Sequence, residues 1–522
     1  MAQDPRVGRE TLPIPDRVKP GLTVFDAKDS ASSFPPIEPL RPPEGAPNVL
    51  LVLLDDVGFA AGSAFGGPVN MPTAERLAGE GLKFNRFHTV ALCAPTRASL
   101  LTGHNHHSVN FGCVAEMATS APGYTSIIPN TTAKMPEVLR LNGYATAQFG
   151  KCHEVPMWET SPAGPMARWP TGSGFEYFYG FLGGESDQFY PELMEGTKRV
   201  EPPKTPEEGY HLSEDLADKA IDWIQQQKSL TPDKPFFAYF APGAGHVPLQ
   251  VPLEWADKYK GKFDGGWEAL REEIFERQQA MGIVPESCEL TEPPPGLSRW
   301  DDYDDDMKAV LARQMEVFAG YLEHCDHHIG RVIDAIEELG VLDDTLVFYI
   351  IGDNGGAADS GLEGSSNLFI TYNAALDLET PELMKQRLPI MGSPQSYVGY
   401  AAGWAWATST PYQWTKQVAS HWGGTRNGTV VHWPNGFESR GETRSQFVHI
   451  TDVYPTILEA AGLPEPVMVN GVSQRPLPST SFGYSFDDAA ADERHDLQYF
   501  EIFGNRAVYH DGWIASCIHR IP

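Results

Sequence analysis

Along the chain, short apolar runs alternate with longer stretches in which apolar residues return every three or four positions. The runs at Asn48–Leu54, Tyr144–Phe149, Pro235–Phe240 and Thr345–Ile351 carry almost no polar alternation. That pattern predicts strands buried on both faces, the condition of a parallel sheet covered by helices. Two further strands are expected at Phe84–Thr89 and Thr429–Trp433. The three-to-four-residue rhythm predicts helices over 72–78, 135–141 and 452–462. Ser213 is a suitable N-cap for another, running to about Gln227 with Leu216, Ala220, Trp223 and Ile224 on one face. The longest extends over 314–339, with Phe318, Leu322, Cys325, Ile329, Val332, Ile336 and Leu339 on its stripe and Gly340 as its stop. Strands alternating with helices predict an α/β fold built on a large mixed, mostly parallel sheet flanked by helices.

The same pattern divides the chain. Residues 1–46 hold no sustained periodicity and carry Pro35, Pro36, Pro39, Pro42 and Pro43, so an extended N-terminal arm is expected. Residues 47–462 form the principal α/β domain. Within it, 157–210 read as long loops able to wall a pocket, and 254–312 as a charged helical insertion placed to act as a lid. The polar stretch 463–522, strand-like at 506–517, is expected to be a partial, shortened C-terminal appendage.

Composition narrows the function classes. Against 39 Lys and Arg stand 69 Asp and Glu, a formal charge of −30, which argues against nucleic acid or an anionic membrane as partner. An anionic small molecule remains compatible. Exposed charges beyond a Debye length of about 8 Å are screened, whereas a contact charge at 4 Å is worth roughly 4 kcal/mol at an effective dielectric near 20. The six cysteines form no CxxC pair, which disfavours a zinc ribbon or a disulfide framework. No apolar run is long enough to span a bilayer, and the first residues lack the layout of a secretory leader. A cytoplasmic protein is therefore expected, or a periplasmic one if a leader preceded residue 1.

Candidate chemistry collects at the ends of the expected strands. Asp55 and Asp56 follow the first, and Asp353 and Asn354 follow the run at 345–351. Open α/β sheets place ligands at such ends, and four oxygen donors without thiolate or imidazole suit a hard cation such as calcium or magnesium. Gly150-Lys151-Cys152-His153 follows another strand, and His246 lies in a glycine-rich loop beyond the strand at 235–240. Lys416 adds a cation downstream. In Leu92–Gly103, Pro95 has its φ preset for a helix start and Gly103 can end the helix. Cys93 then sits at a helix N-terminus, where free N–H groups favour an anion, with Arg97 one turn on.

The run Cys93-x-Pro95-x-Arg97 with Leu101-Thr102-Gly103 resembles the signature of the sulfatase family, in the alkaline-phosphatase superfamily. Further elements occur in family order from Asp55 to Lys416, and the nearest likeness is to bacterial arylsulfatases of the cysteine type. The resemblance implies that Cys93 is oxidised to formylglycine by a formylglycine-generating enzyme, and that the aldehyde hydrate is the nucleophile. It implies calcium, with magnesium as the alternative, held by Asp55, Asp56, Asp353, Asn354 and residue 93. It also implies that Arg97 and Lys151 hold the modified residue, Asp353 takes a proton, His153 assists release of sulfate, and His246 with Lys416 serves the leaving group. The implied reaction is hydrolysis of a small-molecule sulfate ester; aromatic segments at 168–190 and 397–414 point to an aryl one. Phosphonate monoester or phosphodiester hydrolysis in the same site is the alternative within enzymes, and a non-catalytic binding protein on this scaffold the alternative outside them. Two positions depart from the family pattern: Cys152, where an aromatic is common, and His421-Trp422 before Gly423-Gly424.

Overall fold

The computed structural model describes residues 8–15, 24–26, 28–32 and 36–519, so the expected N-terminal arm, Pro35 included, lies partly outside the described residues. Its centre is an eleven-stranded sheet. In chain order the strands are β1 (Asn48–Leu53), β2 (Leu82–His88), β3 (Ala145–Lys151), β4 (Tyr177–Phe181), β5 (Leu193–Glu195), β6 (Lys198–Val200), β7 (Phe236–Ala241), β8 (Thr345–Ile351), β9 (Arg426–His432), β10 (Glu442–Arg444) and β11 (Val448–His449). They lie in the order β10-β2-β9-β8-β1-β7-β3-β4-β5-β6, with β11 paired to β2 beyond the end of β10. The middle five, β8-β1-β7-β3-β4, are mutually parallel, so their carboxyl ends share one edge. β9 runs antiparallel to both β8 and β2.

The apolar runs became the parallel strands because both faces are covered. Leu50 and Val52 of β1 point into one layer, with α1 (Pro72–Glu80), α4 (Leu212–Leu230), α5 (Gly266–Ala280), α6 (Asp305–Glu338) and α7 (Ala402–Thr408). Val49, Leu51 and Leu53 point into the other, with α2 (Cys93–Thr102), α3 (Met135–Leu141) and α8 (Val453–Ala460). Burying each such side chain contributes about 1.5–3 kcal/mol, and no position in β1 is left for water.

Three expectations need correction. The stretch 157–210 is not all loop: β4, β5 and β6 extend the sheet from β3. The insertion 254–312 is no lid. Trp267, Leu270 and Ile274 of α5 belong to the main core, and Arg271 donates to the backbone carbonyls of Trp406 and Pro411, bracing the segment that leads to Lys416. The expected N-cap of α4 shifts to His211, whose side chain accepts from the Ser213 N–H. Beyond α8, β12 (Leu497–Ile502), β13 (Asn505–His510) and β14 (Trp513–Cys517) form a small antiparallel sheet. Among the described residues no helix is long and apolar enough to cross a membrane.

Candidate active site

The carboxyl edge of the parallel strands gathers every candidate side chain. β1 runs directly into Asp55 and Asp56, and β8 into Gly352, Asp353 and Asn354. A side chain at Gly352 could not be accommodated: φ is +106° and a Cβ would lie 2.1 Å from the Val57 carbonyl oxygen. The two strand ends are joined by the Asp56 N–H, which donates to Asp353 Oδ1 at 3.2 Å, and by Asn354 Nδ2, which donates to Asp56 Oδ1 at 2.8 Å. All four residues are buried.

Helix α2 begins at Cys93 itself, with Leu92 as N-cap, and ends at Gly103 with φ 68°. Thr96 Oγ1 donates to the Asp353 carbonyl at 2.7 Å, anchoring the first turn to the end of β8. Arg97, wholly buried, places Nη2 3.0 Å from Asp353 Oδ2 and 3.7 Å from Asp55 Oδ2, and its Nη1 donates to the Tyr239 hydroxyl at 3.3 Å. Lys151, the last residue of β3 rather than a loop residue, donates to Asp55 Oδ2. His153 Nδ1 lies 3.2 Å from Cys93 Sγ. Lys416 Nζ is held between Asp56 Oδ2 at 2.8 Å and Asp359 Oδ2 at 2.7 Å. His246 Nε2 is 3.4 Å from Asp56 Oδ2, and its Nδ1 donates to the Val247 carbonyl at 2.7 Å.

Electrostatics follow from this packing. Burial would raise Asp55, but the charges of Lys151, His246 and Arg97 hold it far below the usual carboxylate range. Asp353 goes the other way, pushed well up by burial and then by the facing Asp55. Burial would depress Lys416, yet Asp359 and Asp56 outweigh it and raise the ammonium well above its ordinary value. Four carboxylates, Asp55, Asp56, Asp353 and Asp359, thus meet three permanent cations, Arg97, Lys151 and Lys416. A divalent cation together with one monoanionic ligand brings the cluster to neutrality.

A cation also answers an unmet hydrogen-bonding need. Asp55 Oδ1 and Asn354 Oδ1 are buried and have no hydrogen-bond partner, a condition that costs about 1–3 kcal/mol per group unless something else engages it. Both are oxygen lone-pair donors, and ligand atoms of Asp55, Asp56 and His246 lie within 4.8 Å of one another. The residues therefore fit a hard divalent ion.

Two members of the cluster were not legible in the sequence. Asp359 clamps Lys416, and Glu116 Oε2 accepts from His153 Nε2 at 3.0 Å. Cys152 packs with Val155, Trp169 and Phe178 and donates to Glu154 Oε2, a structural role. Outside the charged cluster, Phe369 and Tyr372 are about half exposed, at 51% and 52%. Tyr372 and Tyr397 both donate to Glu185, at 2.8 and 3.0 Å, and the Lys416 charge acts on the Tyr372 phenol.

The chain is similar to several known proteins. A sequence model of the sulfatase family matches residues 47–463. The chain is 31% identical over 447 residues to an uncharacterized sulfatase of Schizosaccharomyces pombe, spanning 80% of this chain and 76% of that protein. It is 27% identical over 435 residues to an arylsulfatase of Klebsiella aerogenes, spanning 80% and 87%. Among solved structures, Ps i-CgsB, determined in complex with a neocarrahexaose, superposes with a TM-score of 0.59 at 20% identity, over 91% of this chain and 85% of that one, a likeness of fold.

Proposed function

The chain belongs to the sulfatase family, a family of sulfuric ester hydrolases, and from that premise we propose that it hydrolyses sulfate monoesters of phenols, with formylglycine at position 93 and calcium as the cation. The observation that carries this reading is the position of Cys93: at the first turn of α2, against His153, with Arg97 one turn on bonded to Asp353. Formylglycine at position 93 would supply a geminal diol, and calcium, which Asp55, Asp56, Asp353 and Asn354 would hold, would supply polarisation of the sulfate oxygens.

The protein's own groups do the rest. Arg97 and Lys151 keep positive charge beside residue 93. Asp353, whose Oδ2 lies 3.0 Å from Arg97 Nη2, is the carboxylate that accepts the proton of the attacking hydroxyl. Lys416 Nζ and His246 Nε2 both meet Asp56 Oδ2 and serve the departing phenolate, with Lys416 as the N–H donor. Phe369 and Tyr372 offer half-exposed rings to an aromatic leaving group.

The test has two arms. Protein from its native host is digested and the Cys93 peptide weighed: its mass falls by the difference between a thiol and an aldehyde side chain. The same preparation turns over an aryl sulfate faster than the matching aryl phosphonate. A thiol at full mass in active protein, or a preference for the phosphonate, would replace the reading.

The cation has its own pH signature. In cation-free protein the raised pKa of Asp353 means that the folded state keeps a proton which the unfolded chain releases above its ordinary value of 3.8. Cation-free stability therefore falls as pH rises from there toward the folded pKa, and calcium, which competes with that proton, stabilises more at pH 8 than at pH 5. Thermal melts with and without calcium, at one concentration a hundred times its dissociation constant at pH 8, measure the difference, with about 2.7 kcal/mol expected at that pH. An equal shift at both pH values would show that Asp353 does not exchange a proton for the ion.

A further inference from the structure

In His153 both ring nitrogens are engaged by side chains, Nδ1 against Cys93 Sγ at 3.2 Å and Nε2 against Glu116 Oε2 at 3.0 Å. Flipping the ring would present carbon to both partners, so this orientation is the one that satisfies a buried imidazole. The rest of the residue is fixed as well. Its N–H donates to the Leu182 carbonyl at 3.1 Å, its φ is 63°, and Gly184 lies so close that a Cβ there would be 2.8 Å from Cε1. Glu116 is carried by a 3-10 turn at Ala115–Met117, on a segment separate from every other member of the site. Burial would raise its carboxyl, but the hydrogen bond from His153 holds it below the usual carboxylate range, so it faces Nε2 as an acceptor. Nε2 must then carry the hydrogen.

We infer that Glu116 is a positioning residue: by accepting the Nε2–H of His153 it selects the tautomer whose Nδ1 lone pair faces residue 93. The inference rests on the proposed reading, since it gives His153 a task at residue 93. It is the same division of labour by which a carboxylate behind a histidine sets tautomer and ring orientation for a nucleophile in front of it.

The experiment uses full-length protein labelled with 15N at histidine, with the His153 signals assigned from a His153→Gln variant. Wild type and Glu116→Gln, whose amide oxygen also accepts from Nε2–H, are expected to show the Nε2-protonated tautomer. Glu116→Leu is expected to lose it. In steady-state hydrolysis of an aryl sulfate, Glu116→Leu lowers kcat about 10–100-fold at unchanged KM, and Glu116→Gln stays within about threefold of wild type. A wild-type ring protonated at Nδ1, or a Glu116→Leu protein with the wild-type tautomer and kcat, overturns the inference. If Glu116→Leu fails to fold, Glu116→Gln decides: loss of the tautomer there also overturns it. Wild type that shows the tautomer yet hydrolyses no sulfate ester removes the sulfatase reading while the tautomer selection stands.

Discussion

Replacing Cys93 by Ala abolishes turnover of an aryl sulfate, with kcat reduced by at least about 10⁴-fold, while the protein keeps its fold. The two halves of that expectation come from different facts. Cys93 is buried and its polar contact is His153, so truncating the thiol removes one weak interaction and a small volume; stability changes by about 1 kcal/mol or less. The catalytic loss has no such buffer, because no other nucleophile stands among the site residues: Asp55, Asp56 and Asp353 are committed to cations and to one another. Cys93→Ser sharpens the test. A serine hydroxyl is nearly isosteric, but once esterified it has no second hydroxyl to expel sulfate, so at most one equivalent of product per chain is released. Steady-state assays and a product burst measured on the purified variants decide both points. Sustained turnover above about one per cent of wild type by Cys93→Ala would move the nucleophile elsewhere.

How far the sequence revealed this site depends on what kind of element carries each residue. Asp55, Asp56, Asp353 and Asn354 were legible because each pair ends an apolar run, and parallel strands put their ends on one edge. Cys93 and Arg97 were legible because Pro95 and Gly103 mark a helix whose first turn must hold them. Glu116 and Asp359 were not. Both lie in irregular segments without periodicity, and in a chain with 69 acidic residues nothing local distinguishes them. Their partners, His153 and Lys416, are 37 and 57 positions away, so only the fold brings them together. The strands β5 and β6 escaped notice for a related reason: three residues each, they owe their conformation to pairing outward from β4 rather than to a pattern of their own. The α5 segment shows the opposite error. Its charges, Glu268, Arg271, Glu272 and Glu273, suggested a solvated lid, yet Trp267, Leu270 and Ile274 at helical spacing were enough to draw it into the core.

The site's electrostatics explain how a protein of charge −30 can hold an anion at all. Its cations are not scattered over the surface; Arg97 and Lys151 are wholly buried and Lys416 nearly so, each fixed by a carboxylate. Away from bulk water such charges are screened much less than those outside. Of the carboxylates that hold them, Asp55 keeps an unpartnered oxygen, Oδ1, for a cation. Substrate charge, cation and protein charge are therefore linked through the same few atoms, and removing one should disturb stability and binding together.

Asp55 is where that linkage is strongest, and Asp55→Asn is expected to lower folding stability by about 3–5 kcal/mol. The substitution leaves Lys151, wholly buried, without its carboxylate, and takes from Arg97 a charge 3.7 Å away. Removing both members of the pair, Asp55→Asn with Lys151→Met, recovers most of the loss, because the stranded ammonium goes with it and the methionine fills the same space; a coupling of about 2–3 kcal/mol is expected from the double-mutant cycle. Recovery stops short of wild type since Arg97 remains. Acid acts in the same direction as the single substitution: the depressed pKa of Asp55 gives stability that is present above 3.8, the ordinary carboxylate value, and lost as pH falls through the folded value. Calcium separates the pair from the cation site. Its stabilising shift is reduced in every variant that lacks the Asp55 carboxylate, including the recovered double variant, because Oδ1, the oxygen left open for the ion, then belongs to a neutral amide. Urea midpoints for the four proteins, with and without calcium, give both results in one series. Equal instability of the single and double variants would show that the ion pair does not determine the loss, and an undiminished calcium shift in the double variant would take Asp55 out of the cation's ligand set.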